Sequence, residues 1–128
     1  MKLLLDTHAL LWWWTNDAKL SAKAKRAIES ERNQVFVSAA SVWEIATKTR
    51  LGKLEIGTHA LARFQEMTDA DAFSHLPITW QHSVCAGGLS LDHRDPFDRM
   101  LAAQSLLEGA PLVTVDPSFT AFATRVIW

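Results

Sequence analysis

Short apolar runs alternate along this chain with stretches of helical spacing, and the alternation predicts an α/β fold. Residues 2–5 form an apolar run closed by Asp6. A run this short with a polar stop reads as a buried strand of a parallel sheet. The apolar stretch over 10–14 predicts a short helix behind it. Residues 21–32 carry alanines and charges at helical spacing, with Ser21 as N-cap. Val35, Phe36 and Val37, β-branched and aromatic, predict a second strand. A helix over 41–51 stops at Gly52, and another over 58–68 puts Leu61 and Phe64 on one face. A third strand over 72–76 ends before Pro77, and a helix over 79–86 ends at Gly87 and Gly88. Residues 96–108 predict a helix with Pro96 in its first turn, Asp95 as cap and Gly109 as terminator. A buried strand over 112–115 ends in Asp116, and 125–128 reads as an edge strand. The expected fold is a three-layer α/β/α sandwich around a mostly parallel sheet.

Composition narrows the class. The 128 residues suit one domain over 1–128. With 48% hydrophobic and 21% charged residues the chain is globular rather than disordered. A net charge of −1 excludes a strongly basic nucleic-acid module judged by charge alone. The single cysteine, Cys85, excludes an internal disulfide framework and a Cys-based zinc site, and suits a reducing compartment. Asp6 interrupts the first apolar run, and no run approaches the length of a membrane span, so a cytoplasmic protein with no membrane partner is expected. Charge is uneven. Residues 1–57 hold nine Lys and Arg against six Asp and Glu, residues 58–128 hold four against eight, and no lysine follows Lys53.

Four acids carry the candidate chemistry. Asp6 and Asp116 each close a predicted strand, and ligands of open parallel sheets sit beyond the carboxyl ends of their strands. Glu44 lies about one turn into the helix after the second strand, and Asp98 lies in the first turn of the 96–108 helix. Carboxylates brought this close need a counter-charge or must take up protons. Mg²⁺ or Mn²⁺ supplies that charge with a preference for oxygen ligands, and such a site suits phosphodiester hydrolysis. Each acid also has a structural reading. Ser41 and Glu44 fit a capping box, Asp98 suits a helix dipole, and Asp116-Pro117 starts a turn. Asp95 reads as a second ligand or as an N-cap. Thr7 and Ser118 each read as hydrogen-bond support for a ligand or as turn and cap residues. Arg99 reads as a phosphate contact or as an i, i+4 partner of Asp95. Asp92 and His93 read as loop residues, and their surroundings lack a common zinc spacing.

Residues 3–12, 37–45, 93–104 and 112–116, which carry these four acids in order, resemble the PIN-domain nucleases and, within them, the VapC-type toxins of toxin–antitoxin modules. The resemblance implies a Mg²⁺- or Mn²⁺-dependent endoribonuclease with Asp6, Glu44, Asp98 and Asp116 as its acidic tetrad. It also implies a homodimer, an RNA substrate and a VapB-type antitoxin whose C-terminal segment occupies the toxin's groove. The chain departs from the pattern at Val115, where many relatives carry a polar residue before the aspartate; this weakens the expected support of Asp116.

With the tetrad set aside, the remaining charge is positive. Lys19, Lys23, Lys25 and Arg26, then Lys48, Arg50 and Lys53, read as a path for a phosphate backbone or as solvated helix faces. Three consecutive tryptophans, Trp12 to Trp14, cannot all face one side of a helix, so one is expected to meet a partner or a dimer mate, with RNA stacking as the other reading. A phosphorylation receiver would pair acids at the first strand and place a lysine late in the chain. A haloacid-dehalogenase-type phosphatase would show D-x-D where this chain has Asp6-Thr7-His8. The remaining alternative is a non-catalytic binding or regulatory module of the same fold.

Overall fold

In the computed structural model, which describes residues 1–90 and 92–128, five parallel strands form one sheet in the order β3-β2-β1-β4-β5. The strands are β1 (Lys2–Leu5), β2 (Gln34–Ser38), β3 (Ser74–Leu76), β4 (Leu112–Val113) and β5 (Val126–Ile127). The helices are α1 (Thr7–Thr15), α2 (Ala22–Glu29), α3 (Ala39–Arg50), α4 (Gly57–Ala62), α5 (Phe64–Ala70), α6 (Trp80–Gly88) and α7 (Pro96–Glu108), with a 3-10 turn over Pro117–Phe122.

Alternation along the strands builds two cores. Leu3 and Leu5 of β1, Val35 and Val37 of β2 and Val113 of β4 face one layer, which contains α1, α2 and Ile45 of α3. Leu4 and Leu112 point the other way, onto Leu101 and Ala102 of α7 and onto Phe119 and Phe122 of the 3-10 turn. This is the expected α/β/α sandwich, and its sheet is wholly parallel.

Several boundaries differ from the sequence reading, each for a local reason. Helix α1 begins directly after Asp6, three residues earlier than expected. Helix α3 begins at Ala39 because Ser38, not Ser41, caps it, with the Ser38 hydroxyl accepting from the Ala40 amide. The expected 58–68 helix is two helices, broken at Arg63. Ala72 is a turn residue with φ of 55°, so β3 starts only at Ser74. Helix α6 runs through Gly87 and Gly88 rather than stopping before them. Strand β4 ends at Val113, before the expected Val115. Ser21, Asp95 and Gly109 cap their helices as expected.

No member of the tryptophan run is fully exposed. Trp12 stands edge-on to Trp128 at 5.8 Å, Trp13 meets Phe73 and Trp14 meets Phe64. The indole N–H groups of Trp13 and Trp14 both donate to Asp71 Oδ2, at 3.1 and 3.0 Å. The last turn of α1 is thus enclosed on several sides, which is how three consecutive positions all find cover. Among the described residues no helix is long and apolar enough to cross a membrane.

Candidate active site

The strand order reverses between β1 and β4: the chain moves from β1 to β2 and β3 on one side, then crosses back to β4 and β5 on the other. A crevice opens at such a switch point, beyond the strand ends. Here it is a cleft of about 570 Å³ lined by Asp6, Glu44, Asp95, Asp98 and Asp116, with His8, Trp12, Lys48, Val115 and Pro117. The four acids of the expected tetrad therefore meet in one place. Asp6 arrives from the end of β1, Glu44 from the second turn of α3, Asp98 from the first turn of α7 and Asp116 from just beyond β4.

Each acid is anchored differently. Asp6 is buried, and its Oδ2 accepts from the Thr114 hydroxyl at 2.7 Å. Burial pushes its carboxyl above the ordinary carboxylate range and the nearby Glu44 adds to this, while the Thr114 hydrogen bond and His8 oppose it. Glu44 is buried, and its Oε2 accepts from Lys48 Nζ at 2.5 Å. Its other oxygen, Oε1, is buried with no hydrogen-bond partner among the described residues. Asp98 Oδ2 lies 2.9 Å from His93 Nε2. Burial raises the Asp98 carboxyl to about 6; the His93 contact opposes the rise, and Asp95, Asp6 and Glu44 add to it. Asp116 Oδ1 accepts from the Ser118 amide, and the Asp116 amide donates to Thr114 Oγ1 at 3.1 Å. Lys48 loses some of its charge preference to burial, but the Glu44 hydrogen bond and the fields of Glu44, Asp95 and Asp98 outweigh this and raise it.

The neighbouring residues divide. Asp95 lines the cleft and also caps α7, its Oδ1 accepting from the Phe97 and Asp98 amides. The Thr7 hydroxyl donates to Ser41 Oγ at 2.9 Å and so joins α1 to α3. Ser118 supports Asp116 through its backbone, and its hydroxyl is buried without a partner among the described residues. Among the described residues the Arg99 side chain engages backbone carbonyls. Its guanidinium donates to the carbonyls of Ala86, Leu89 and His93 at 3.0, 2.6 and 3.0 Å, which pins the segment leading into α7. An arginine with a whole segment's carbonyls in reach satisfies several at once, whereas the side chain of Asp95 is already engaged as a cap.

Sequence reasoning missed three members of the site. Thr114 bridges Asp6 and Asp116, and its signal was the Thr-x-Asp spacing after a strand. His93, read as a loop residue, contacts Asp98 and stands edge-on to Phe122. Lys48, read as part of a basic path, holds Glu44. The weakness expected from Val115 is made good by Thr114, while Val115 itself is half exposed.

The donor set is all carboxylate oxygen, the chemistry that hard divalent cations select. The unpartnered Glu44 Oε1 is an acceptor such an ion would satisfy. Among the described residues, no three acids or histidines are already drawn together tightly enough to grip an ion. Thr114, Lys48 and His93 instead hold Asp6, Glu44 and Asp98 individually.

A model of the PIN domain matches residues 3–124. The chain belongs to the PIN-domain family. This PIN domain is similar to Ribonuclease VapC22 of Mycobacterium tuberculosis, with 31% identity over 117 residues that cover 89% of this chain and 86% of the relative. Its fold is similar to that in the crystal structure of VapBC2 from Rickettsia felis bound to a promoter DNA fragment, with a TM-score of 0.71 and 15% identity over 98% of this chain and 97% of that one. It is also similar to VapBC-1 from nontypeable Haemophilus influenzae, with a TM-score of 0.68 and 18% identity over 98% and 96% of the two chains.

Proposed function

We propose that this PIN domain is a divalent-metal-dependent endoribonuclease, acting through one domain over residues 1–128 as the toxin of a type II toxin–antitoxin pair in the cytoplasm. The observation that carries the reading is the convergence of Asp6, Glu44, Asp98 and Asp116 at the switch point of the sheet, with a buried oxygen of Glu44 left unpaired. The ribonuclease relative supports RNA as substrate. The VapBC neighbours support a VapB-type antitoxin as partner, and the resemblance supports a homodimer.

In this reading Asp6, Glu44, Asp98 and Asp116 hold Mg²⁺ or Mn²⁺. Such an ion supplies an activated water and stabilises charge on the phosphate oxygens. The protein's own work is placement. Thr114 fixes Asp6 and the backbone that carries Asp116, His93 orients Asp98, and Asp95 sets the first turn of α7 on which Asp98 rides.

The test is cleavage of a total cellular RNA pool by the antitoxin-free protein, with Mg²⁺ or Mn²⁺ and with chelator, beside Asp98→Asn. Discrete fragments that need the metal and vanish with Asp98→Asn are expected, with the variant slower by about 100-fold or more. Intact RNA under every condition would move the weight to a non-catalytic binding module.

A further inference from the structure

Lys48 is the one Lys or Arg among the described residues lining a cleft that holds five carboxylates. Its ammonium sits 2.5 Å from Glu44 Oε2, one helical turn away. The two ends of this pair are unequal. The Glu44 side chain is 4% exposed, whereas that of Lys48 is 33% exposed. Glu44 therefore needs a positive partner, while Lys48 can return to water on a flexible stem. Glu44 also has a second buried oxygen that Lys48 does not satisfy. A divalent cation offers twice the charge of an ammonium and can meet more than one carboxylate at once.

We propose that Lys48 is an exchangeable counter-ion of the acidic cleft: its ammonium holds the Glu44 carboxylate in the metal-free protein and yields it to a divalent cation. The inference rests on the reading of the four acids as a metal site and adds a competitor to it. Without a cation, Lys48 keeps the buried Glu44 charge compensated, and it sets a threshold of cation activity below which Glu44 stays engaged. It acts through Glu44 and is a positioning residue.

Calorimetric titration with Mn²⁺ of the wild type, Lys48→Met, Lys48→Arg and Asp98→Asn tests this. Lys48→Met removes the competitor and keeps the stem, so its Kd is expected to fall about tenfold, the worth of one charge-assisted hydrogen bond. Lys48→Arg keeps the charge and is expected to bind near the wild-type Kd. Should Lys48→Met unfold, Lys48→Gln carries the same expectation. An unchanged or weaker affinity in the neutral variant would overturn the proposal and leave the metal site standing. Absence of saturable heat in the wild type and every Lys48 variant would sink the metal-site reading, and this inference with it. Binding that persists undiminished in Asp98→Asn would place the ion elsewhere and overturn both.

Discussion

A single hydroxyl does much of the positioning in this site. Thr114 donates to Asp6 and accepts from the amide of Asp116, so two acids from different strands share one anchor. Thr114→Val keeps shape and removes both contacts. It should lower the cleavage rate by about 10- to 100-fold at saturating Mn²⁺. It should also cost about 1–2 kcal/mol of stability in urea, because a buried carboxylate oxygen loses its donor. Wild-type rates in this variant would assign the support of Asp6 to another group. Asp6, Asp98 and Asp116 stood out in the sequence because each follows a strand or opens a helix, and Glu44 because it lies within the helix that follows the second strand. Their anchors were legible only in part: Lys48 stands i, i+4 from Glu44 on one helix, a spacing the sequence carries, whereas Thr114 reaches Asp6 across 108 positions and leaves no periodic trace. Ser41 shows the converse: its spacing to Glu44 suggested a cap, yet the helix begins two residues before it and its hydroxyl accepts from Thr7.

Among the elements, α7 shows both what a sequence states and what it conceals. Pro96, Asp95 and Gly109 mark its ends because caps are local chemistry. Arg99 reaches out to the carbonyls of Ala86, Leu89 and His93 in the preceding segment. Arg99→Met should release that segment. Amide exchange over residues 86–94 is expected to quicken while β1 and β2 stay protected, with a loss of about 2–3 kcal/mol in global stability. Unchanged exchange there would show that packing, not the guanidinium, holds the segment. The tryptophan run follows the same rule. Its helix was expected, but the shared acceptor Asp71 lies 57 and 58 residues away and was found only in the fold.

At the scale of the whole molecule, burying several acids together links folding to protons and to metal. Asp98 is raised from 3.8 to about 6, and Asp6 is raised as well. The folded state therefore binds protons more readily than the unfolded chain across this window. Stability of the metal-free protein should rise as pH falls through about 6, and the contribution of Asp98 is complete below its unfolded value. In chelator, the melting temperature is expected to increase from pH 7.5 to pH 5.5. With saturating Mn²⁺ it should instead decrease over the same span, since protons displace the ion. Asp98→Asn should flatten the chelator profile relative to wild type. A wild-type profile that falls in both conditions would mean the acids are not held in a strained, proton-seeking cluster.

By itself the sequence determined the alternation of strands and helices, the caps of the clearest helices, and the places of Asp6, Asp98 and Asp116 beside element ends and of Glu44 inside the third helix. Each of these is set by neighbours within a few positions along the chain. The tertiary structure alone decided that the sheet reverses between β1 and β4, where Asp6 and Asp116 come to stand together. It alone decided that α3 and α7 direct Glu44 and Asp98 into the same crevice. It also decided that Asp6 meets the Thr114 hydroxyl. Those outcomes depend on crossovers that join residues up to 108 positions apart, as Thr114 and Asp6 are. Local propensity carries no record of contacts made at that distance, because they form only when the packed layers fix where each strand ends.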